Sequence, residues 1–187
     1  IDREGVSILT YAACMNDTDA LRCILKEIEG NSELIDAQIP KSGFVYVGIP
    51  GSCTALIGAM VVGSPQAAEI LLEAGANPYI TEKNMFDPLL CACVYGRLEN
   101  VKYWFEKFPE WEINRERGKF GSTPMLSAVA LGPNRLKLVE YLISKGAVVD
   151  GISYNGTSTL TAACANDDAD PRVIRTLLEN SRDMKMI

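Results

Sequence analysis

The stretch Gly121-Ser122-Thr123-Pro124-Met125-Leu126-Ser127-Ala128, followed by Leu142-Ile143-Ser144-Lys145-Gly146-Ala147, decides the fold. It sets out a glycine suited to a tight turn, an oxygen-bearing side chain before a proline at a helix start, a short apolar helix, and a second helix stopped by glycine. Weaker copies run along the whole chain. A unit that recurs in this way marks a repeat architecture. Each copy contacts mainly its neighbours, and the product is an extended surface, not an enclosed active site.

Aligned on Pro124, the corresponding residues are Ile8, Ala55, Pro88, Pro124 and Thr159, at spacings of 47, 33, 36 and 35. The shortest spacing is the bare unit and the others carry insertions. The slot before holds Ser7, Thr54, Asp87, Thr123 and Ser158. All five are short side chains whose oxygen can accept from the free N–H groups of a helix start. Three positions ahead of Pro124 is a turn slot, filled by Gly5, Ser52, Met85, Gly121 and Gly156. Glycine or a small residue there suits an unusual φ. Small pairs follow at fixed offsets: Ala12-Ala13, Ala59-Met60, Ala92-Cys93, Ala128-Val129 and Ala163-Cys164. They let helices approach closely. The first helices are expected to stop at Asn16, Gly63, Gly96, Gly132 and Asp167. Second helices carry Ile24-Leu25, Leu71-Leu72, Trp104-Phe105, Leu142-Ile143 and Leu177-Leu178. Trp104-Phe105 and Phe108 to Trp111 read as core at the third-to-fourth junction.

This unit resembles the ankyrin repeat, a module of about 33 residues with a Thr-Pro-Leu-His-x-Ala block. Thr54 to Asn77 and Gly121 to Asp150 are the close copies, and the other three are degenerate. The expected fold is all-α: an ankyrin-like helical solenoid of stacked helix-turn-helix repeats with β-turn fingers. It is expected as one domain over 1–187, with repeats at about 2–36, 51–79, 84–114, 120–150 and 155–183 and a long finger insertion at about 36–51. The family's histidine is missing from every copy, its slot holding Thr10, Ile57, Leu90, Leu126 and Thr161. That histidine usually ties neighbouring loops, so its absence bears on loop rigidity and not on the fold.

Composition narrows the function. The chain has 187 residues, 48% of them hydrophobic, and a net charge of −6. An acidic chain lacks the basic face of a general nucleic-acid binder. Its most apolar segment, Cys53 to Gly63, is about half of the ~20 residues a membrane span needs, so no membrane insertion is expected. With no histidine, His-based triads and His general acid–base chemistry are excluded. Glu82 with Asp87, and Glu110 with Glu112, read as solvated surface. Gly48-Ile49-Pro50-Gly51-Ser52 lacks the Lys-Ser or Lys-Thr of a phosphate loop. No enzyme activity, cofactor, metal or small-molecule substrate is therefore expected.

The six cysteines are Cys14, Cys23, Cys53, Cys91, Cys93 and Cys164. Those at helix packing slots read as small buried hydrophobes. Free thiols point to a reducing intracellular compartment, the cytoplasm ahead of the nucleus. The sequons Asn16-Asp17-Thr18 and Asn155-Gly156-Thr157 are expected to stay unglycosylated. The last helix carries Arg172, Arg175, Glu179, Arg182, Asp183 and Lys185, which suit a polar cap. The start has little room for one, and the chain reads as a piece of a longer one.

The resemblance implies that fingers and the concave face of the first helices meet a protein partner. The first finger, Ile35 to Ser52, holds an apolar hairpin arm at Ser42 to Gly48, either folded back or exposed, with Phe44 and Tyr46 as candidates. The second finger offers Tyr79, Lys83 and Met85, and the fourth Tyr154. The third offers Arg115, Arg117 and Lys119, the densest basic spot on the chain. Beside the fingers runs a row of Met15, Val62, Tyr95, Leu131 and Asn166, either exposed or packed on the second helices. Of these, Tyr95 is the candidate contact. The function expected is a non-catalytic protein–protein interaction module or scaffold. The alternatives are a targeting or regulatory segment of a larger enzyme or channel, and a structural subunit fixed in a large assembly.

Overall fold

Ser7, Thr54, Asp87, Thr123 and Ser158 each accept the N–H of the residue three positions on, which are Thr10, Ile57, Leu90, Leu126 and Thr161. Those bonds start the first helix of each copy at the aligned slot. In the computed structural model, which describes residues 7–40, 48–131, 135–166, 168 and 170–181, the helices are α1 Ile8–Cys14, α2 Thr18–Glu27, α3 Ser32–Ile35, α4 Ala55–Val61, α5 Pro65–Glu73, α6 Pro88–Val94, α7 Leu98–Lys107, α8 Pro124–Ala130, α9 Leu136–Ser144, α10 Thr159–Cys164 and α11 Pro171–Asn180. Short first helices alternate with longer second helices, and α3 is a single extra turn. The chain divides into two compact units, Ile1–Cys91 and Ala92–Ile187.

In the first unit α1 packs on α2 and α4, and α5 packs on α4 and α2. First helices thus stack on first helices and second on second. Ala12, Ala13, Ala59, Ala67 and Ala68 are all buried at these contacts. Small side chains permit the close approach, and the area removed from water holds it. At the foot of the first fingers Cys14, Ile39, Ile49, Cys53, Ile57, Val61 and Cys91 form a second apolar cluster, with Val62 and Phe86 against it.

The second unit repeats the pattern: α8 packs on α9 and α10, and α11 on α10 and α9. Trp104 is fully buried in an aromatic group with Phe108 at 4.8 Å and Trp111 edge-on at 5.0 Å. Phe105 meets Tyr141 of the next repeat at 6.4 Å. The expected aromatic core at that junction is present.

The turn slot behaves as a conformational constraint, not a glycine preference. Gly121 and Gly156 have φ of 64° and 82°, and so, at 60° and 67°, do Ser52 and Met85. The left-handed geometry persists where the side chain disfavours it.

Two expectations from the sequence need correcting. Glu82 and Asp87 are buried, not solvated. Glu82 accepts from the Asn84 N–H (2.8 Å), the Asn84 side-chain amide (3.1 Å) and the Phe86 N–H (3.3 Å), so its carboxylate shapes the second finger. Asp87 is the cap of α6. Cys164 is exposed, as is Cys23, whereas Cys14, Cys53, Cys91 and Cys93 are buried. Cys164 lies on the outer side of the last described first helix, which no further helix covers among the described residues.

Candidate functional site

Loops stiffen when their backbone donors and acceptors are occupied by neighbouring loops. In the first unit the legs of the first finger pair, the Ile39 N–H donating to Cys53 (3.0 Å) and the Ser52 N–H to Pro40 (3.2 Å). Gln38 then bridges two fingers, its amide donating to the carbonyls of Ser52 (2.6 Å) and Thr81 (2.9 Å). The Lys83 N–H donates to Gly51 (3.1 Å). On this frame Tyr79, Lys83 and Met85 are exposed together on the second finger. Phe44 and Tyr46 lie outside the described residues.

In the second unit the third finger is a tight hairpin. Arg117 and Ser122 exchange both backbone bonds, at 2.9 and 2.7 Å. The fourth finger turns at Ser153 to Thr157, and the Tyr154 N–H donates to the Phe120 carbonyl of the third (2.8 Å). The Tyr154 ring lies over Gly121, where any Cβ would come within 2.4 Å of it. Its hydroxyl is hydrogen-bonded to Glu116, which raises its pKa above the ordinary tyrosine value. The ring is nevertheless 70% exposed. Two fingers are therefore locked together beneath a presented aromatic. Arg115 and Lys119 are exposed beside it, while Arg117 is half-buried. The basic spot is thus narrower than the sequence suggests, and Glu116 interrupts it.

Tyr95 is partly exposed just past the end of α6, at the opposite end of the helices from the fingers. Along the expected concave row, Met15 and Leu131 are exposed. Val62 packs on the apolar cluster of the first unit. The Asn166 amide is turned to the Val129 carbonyl (3.4 Å). The row is therefore broken, and Tyr95 does not join the finger candidates.

The family model for ankyrin repeats matches residues 89–186 in three copies. The chain belongs to the ankyrin repeat family. No curated protein matches it. Ankyrin repeats in general are protein–protein interaction modules and typically lack catalysis. Two exposed apolar residues of this ankyrin surface escape the sequence motifs: Phe120 at the third finger and Ile152 before the fourth. Phe120 had a signal. It directly precedes the turn glycine, where a hairpin tip leaves no core to enter. Among the described residues no cluster of three or more cysteines, aspartates or glutamates stands in metal-binding range, and no helix is long and apolar enough to cross a membrane.

The slot of the missing histidine makes ties within its own repeat in two copies. Where its slot holds threonine, the hydroxyls of Thr10 and Thr161 bond those of Ser7 (2.9 Å) and Ser158 (2.8 Å). Where the second helices lead into the fingers, Asp36 accepts from the Asn77 N–H (2.9 Å). Asn114 accepts from the Val148 N–H (2.8 Å) and donates to Gly146 (3.1 Å).

Proposed function

We propose that this ankyrin chain is a non-catalytic module that binds a protein partner through its finger edge. The principal contacts of the second unit are Tyr154, Phe120, Arg115 and Lys119, and those of the first unit Tyr79, Lys83 and Met85. The observation that carries the reading is the exposed Tyr154 ring held rigid over Gly121 by its backbone bond to Phe120. A large aromatic already fixed in place loses little freedom on binding, and such residues dominate interface energy. Arg115 and Lys119 beside it favour a partner segment with acidic residues next to an apolar anchor.

Selection of a displayed random peptide library on the intact chain tests this. The expected result is acidic peptides bearing an apolar residue, bound by the parent and lost with Tyr154→Ala/Phe120→Ala. Peptides held equally by parent and variant would place the binding surface elsewhere.

A further inference from the structure

We infer that Asn155, in the turn of the fourth finger, is a self-modification site whose conversion to aspartate and isoaspartate weakens the Tyr154 contact. The backbone nitrogen of Gly156 attacks Cγ of the Asn155 side chain. A bond forms between that nitrogen and Cγ, and the Cγ–Nδ2 bond breaks. The leaving Nδ2 takes up the Gly156 proton and departs as ammonia. Water then opens the five-membered imide at either carbonyl, leaving aspartate or isoaspartate. No electrons are transferred, and water is the only reactant the chain does not supply.

The chain offers this chemistry at one place. Of its ten asparagines only Asn155 precedes a glycine. A side chain on the following residue crowds the attacking nitrogen, and glycine has none. At Gly156, with φ 82°, even an added Cβ would meet nothing within 4 Å. Elsewhere the amides of Asn84, Asn114, Asn166 and Asn180 are tied as donors to Glu82, Gly146, Val129 and Thr176. Asn77 precedes Pro78, whose nitrogen carries no proton to give up.

The finger prepares the amide for attack. Asn155 Oδ1 accepts from the Ser153 hydroxyl (2.5 Å) and from the Thr157 N–H (3.3 Å). Two donors on one amide oxygen polarise its carbon and hold the charge that the oxygen gains as the carbon becomes tetrahedral. The Gly156 N–H donates to the Ser153 carbonyl (2.9 Å), so attack waits on the opening of that one turn bond. Tyr154, Asn155 and Gly156 are all exposed, and such bonds open at the low end of local stability. Either product places a carboxylate next to Tyr154, against the acidic segment proposed to meet Arg115 and Lys119. Isoaspartate also adds one carbon to the backbone. That shifts the turn from Ser153 to Thr157 and the Tyr154 N–H seated on Phe120. The loss of contact rests on the finger-edge reading, whereas the conversion does not.

Incubation of the intact 187-residue chain at mildly alkaline pH is the test, read over days by peptide-mapping mass spectrometry with enzymatic methylation of isoaspartate. Asn155 should convert before every other asparagine. Asn155→Gln needs a larger ring and should gain no isoaspartate at that position over the same period. An Asn155 that outlasts the other asparagines of the folded chain would overturn the inference. Aged parent and fresh Asn155→Asp should both bind an acidic peptide selected on the fresh chain several-fold more weakly, the aged chain the more so. A fully converted chain that binds the peptide like the fresh parent would overturn the link to Tyr154. Failure of the finger-edge reading shows differently: Tyr154→Ala would then hold the peptide as the parent does, while the conversion read by mass would proceed unchanged.

Discussion

Arg135 reaches back from the start of α9 and lies against Gly96, just past the end of α6. A Cβ on Gly96 would stand 1.8 Å from its Nη1. The guanidinium donates to the carbonyls of Val94 (2.7 Å) and Cys93 (3.4 Å), and the side chain is buried. Burial lowers its pKa from the ordinary arginine value, with Cys93 acting in the opposite direction. A cation at a helix C-terminus answers the free carbonyls and the negative end of the dipole. Gly96, at φ 66°, both ends the helix and leaves room for the arginine.

Arg135→Ala should therefore cost about 1–3 kcal/mol in a denaturant melt, because it strands the Val94 carbonyl, whereas the Cys93 carbonyl keeps the Gly96 N–H. Arg135→Lys should not restore the loss, since an ammonium lacks the fork that reaches two carbonyls. Gly96→Ala should cost about 2 kcal/mol or more from left-handed strain and the clash. The double variant should lose less than the sum. Strict additivity would mean that the two residues do not share one contact.

This pair also marks where reading the sequence stops. The five helix starts were legible because a cap acts over three residues, as from Thr123 to Leu126. The partners of Arg135 lie 41 and 42 residues away, and nothing local distinguishes it from a solvated arginine. Glu82 failed for a related reason: its carboxylate serves donors in its own turn, and charge alone does not report burial. Cys164 was misread because its slot is a packing slot in every repeat that has a following neighbour. Among candidate contacts the exposed finger residues were legible from spacing. The lock between Tyr154 and Phe120 was not, since it pairs two fingers 34 residues apart.

The left-handed turn slot yields a stabilising change. Met85 holds φ 67° with an exposed side chain. Met85→Gly should raise stability by about 0.5–1 kcal/mol, the relieved strain exceeding the added chain entropy. A scanning calorimetry melt would show the rise in Tm. If Met85 meets the partner, the same variant should bind it more weakly, separating stability from function.

Core and cap contributions should separate in α8 and α9. Leu142 is fully buried, and Leu142→Ala should cost roughly 2–5 kcal/mol through the cavity it leaves. Thr123→Ala removes the acceptor for the Leu126 N–H and should cost about 1 kcal/mol. Chemical denaturation of both variants measures the order. Equal losses would contradict the burial of Leu142.

Thiol reactivity should follow exposure. Burial pushes the Cys14 thiol up to about 12, and Cys53 is raised by burial and then by the Glu82 carboxylate. Only thiolate attacks an alkylating reagent, so both should stay unmodified at mildly alkaline pH. Cys23 and Cys164 should label in the folded chain, and all six cysteines after unfolding. Intact mass spectrometry counts the adducts. Fast labelling of Cys53 in the native chain would contradict its burial.

The finger edge should divide its work between rate and residence. Arg115 and Lys119 are exposed charges at the rim, where they steer an acidic partner and are screened by salt. Against a selected acidic peptide, Arg115→Glu/Lys119→Glu should slow association strongly at low salt and weakly at high salt. Tyr154→Ala removes the ring held over Gly121 and should speed dissociation at any salt, by more than about 1 kcal/mol. Tyr154→Phe keeps the ring and the backbone bond to Phe120 but loses the hydroxyl link to Glu116. It should retain most of the affinity. Surface plasmon resonance at two salt concentrations resolves both rates for all three variants. A Tyr154→Ala variant with parental dissociation would remove Tyr154 from the interface.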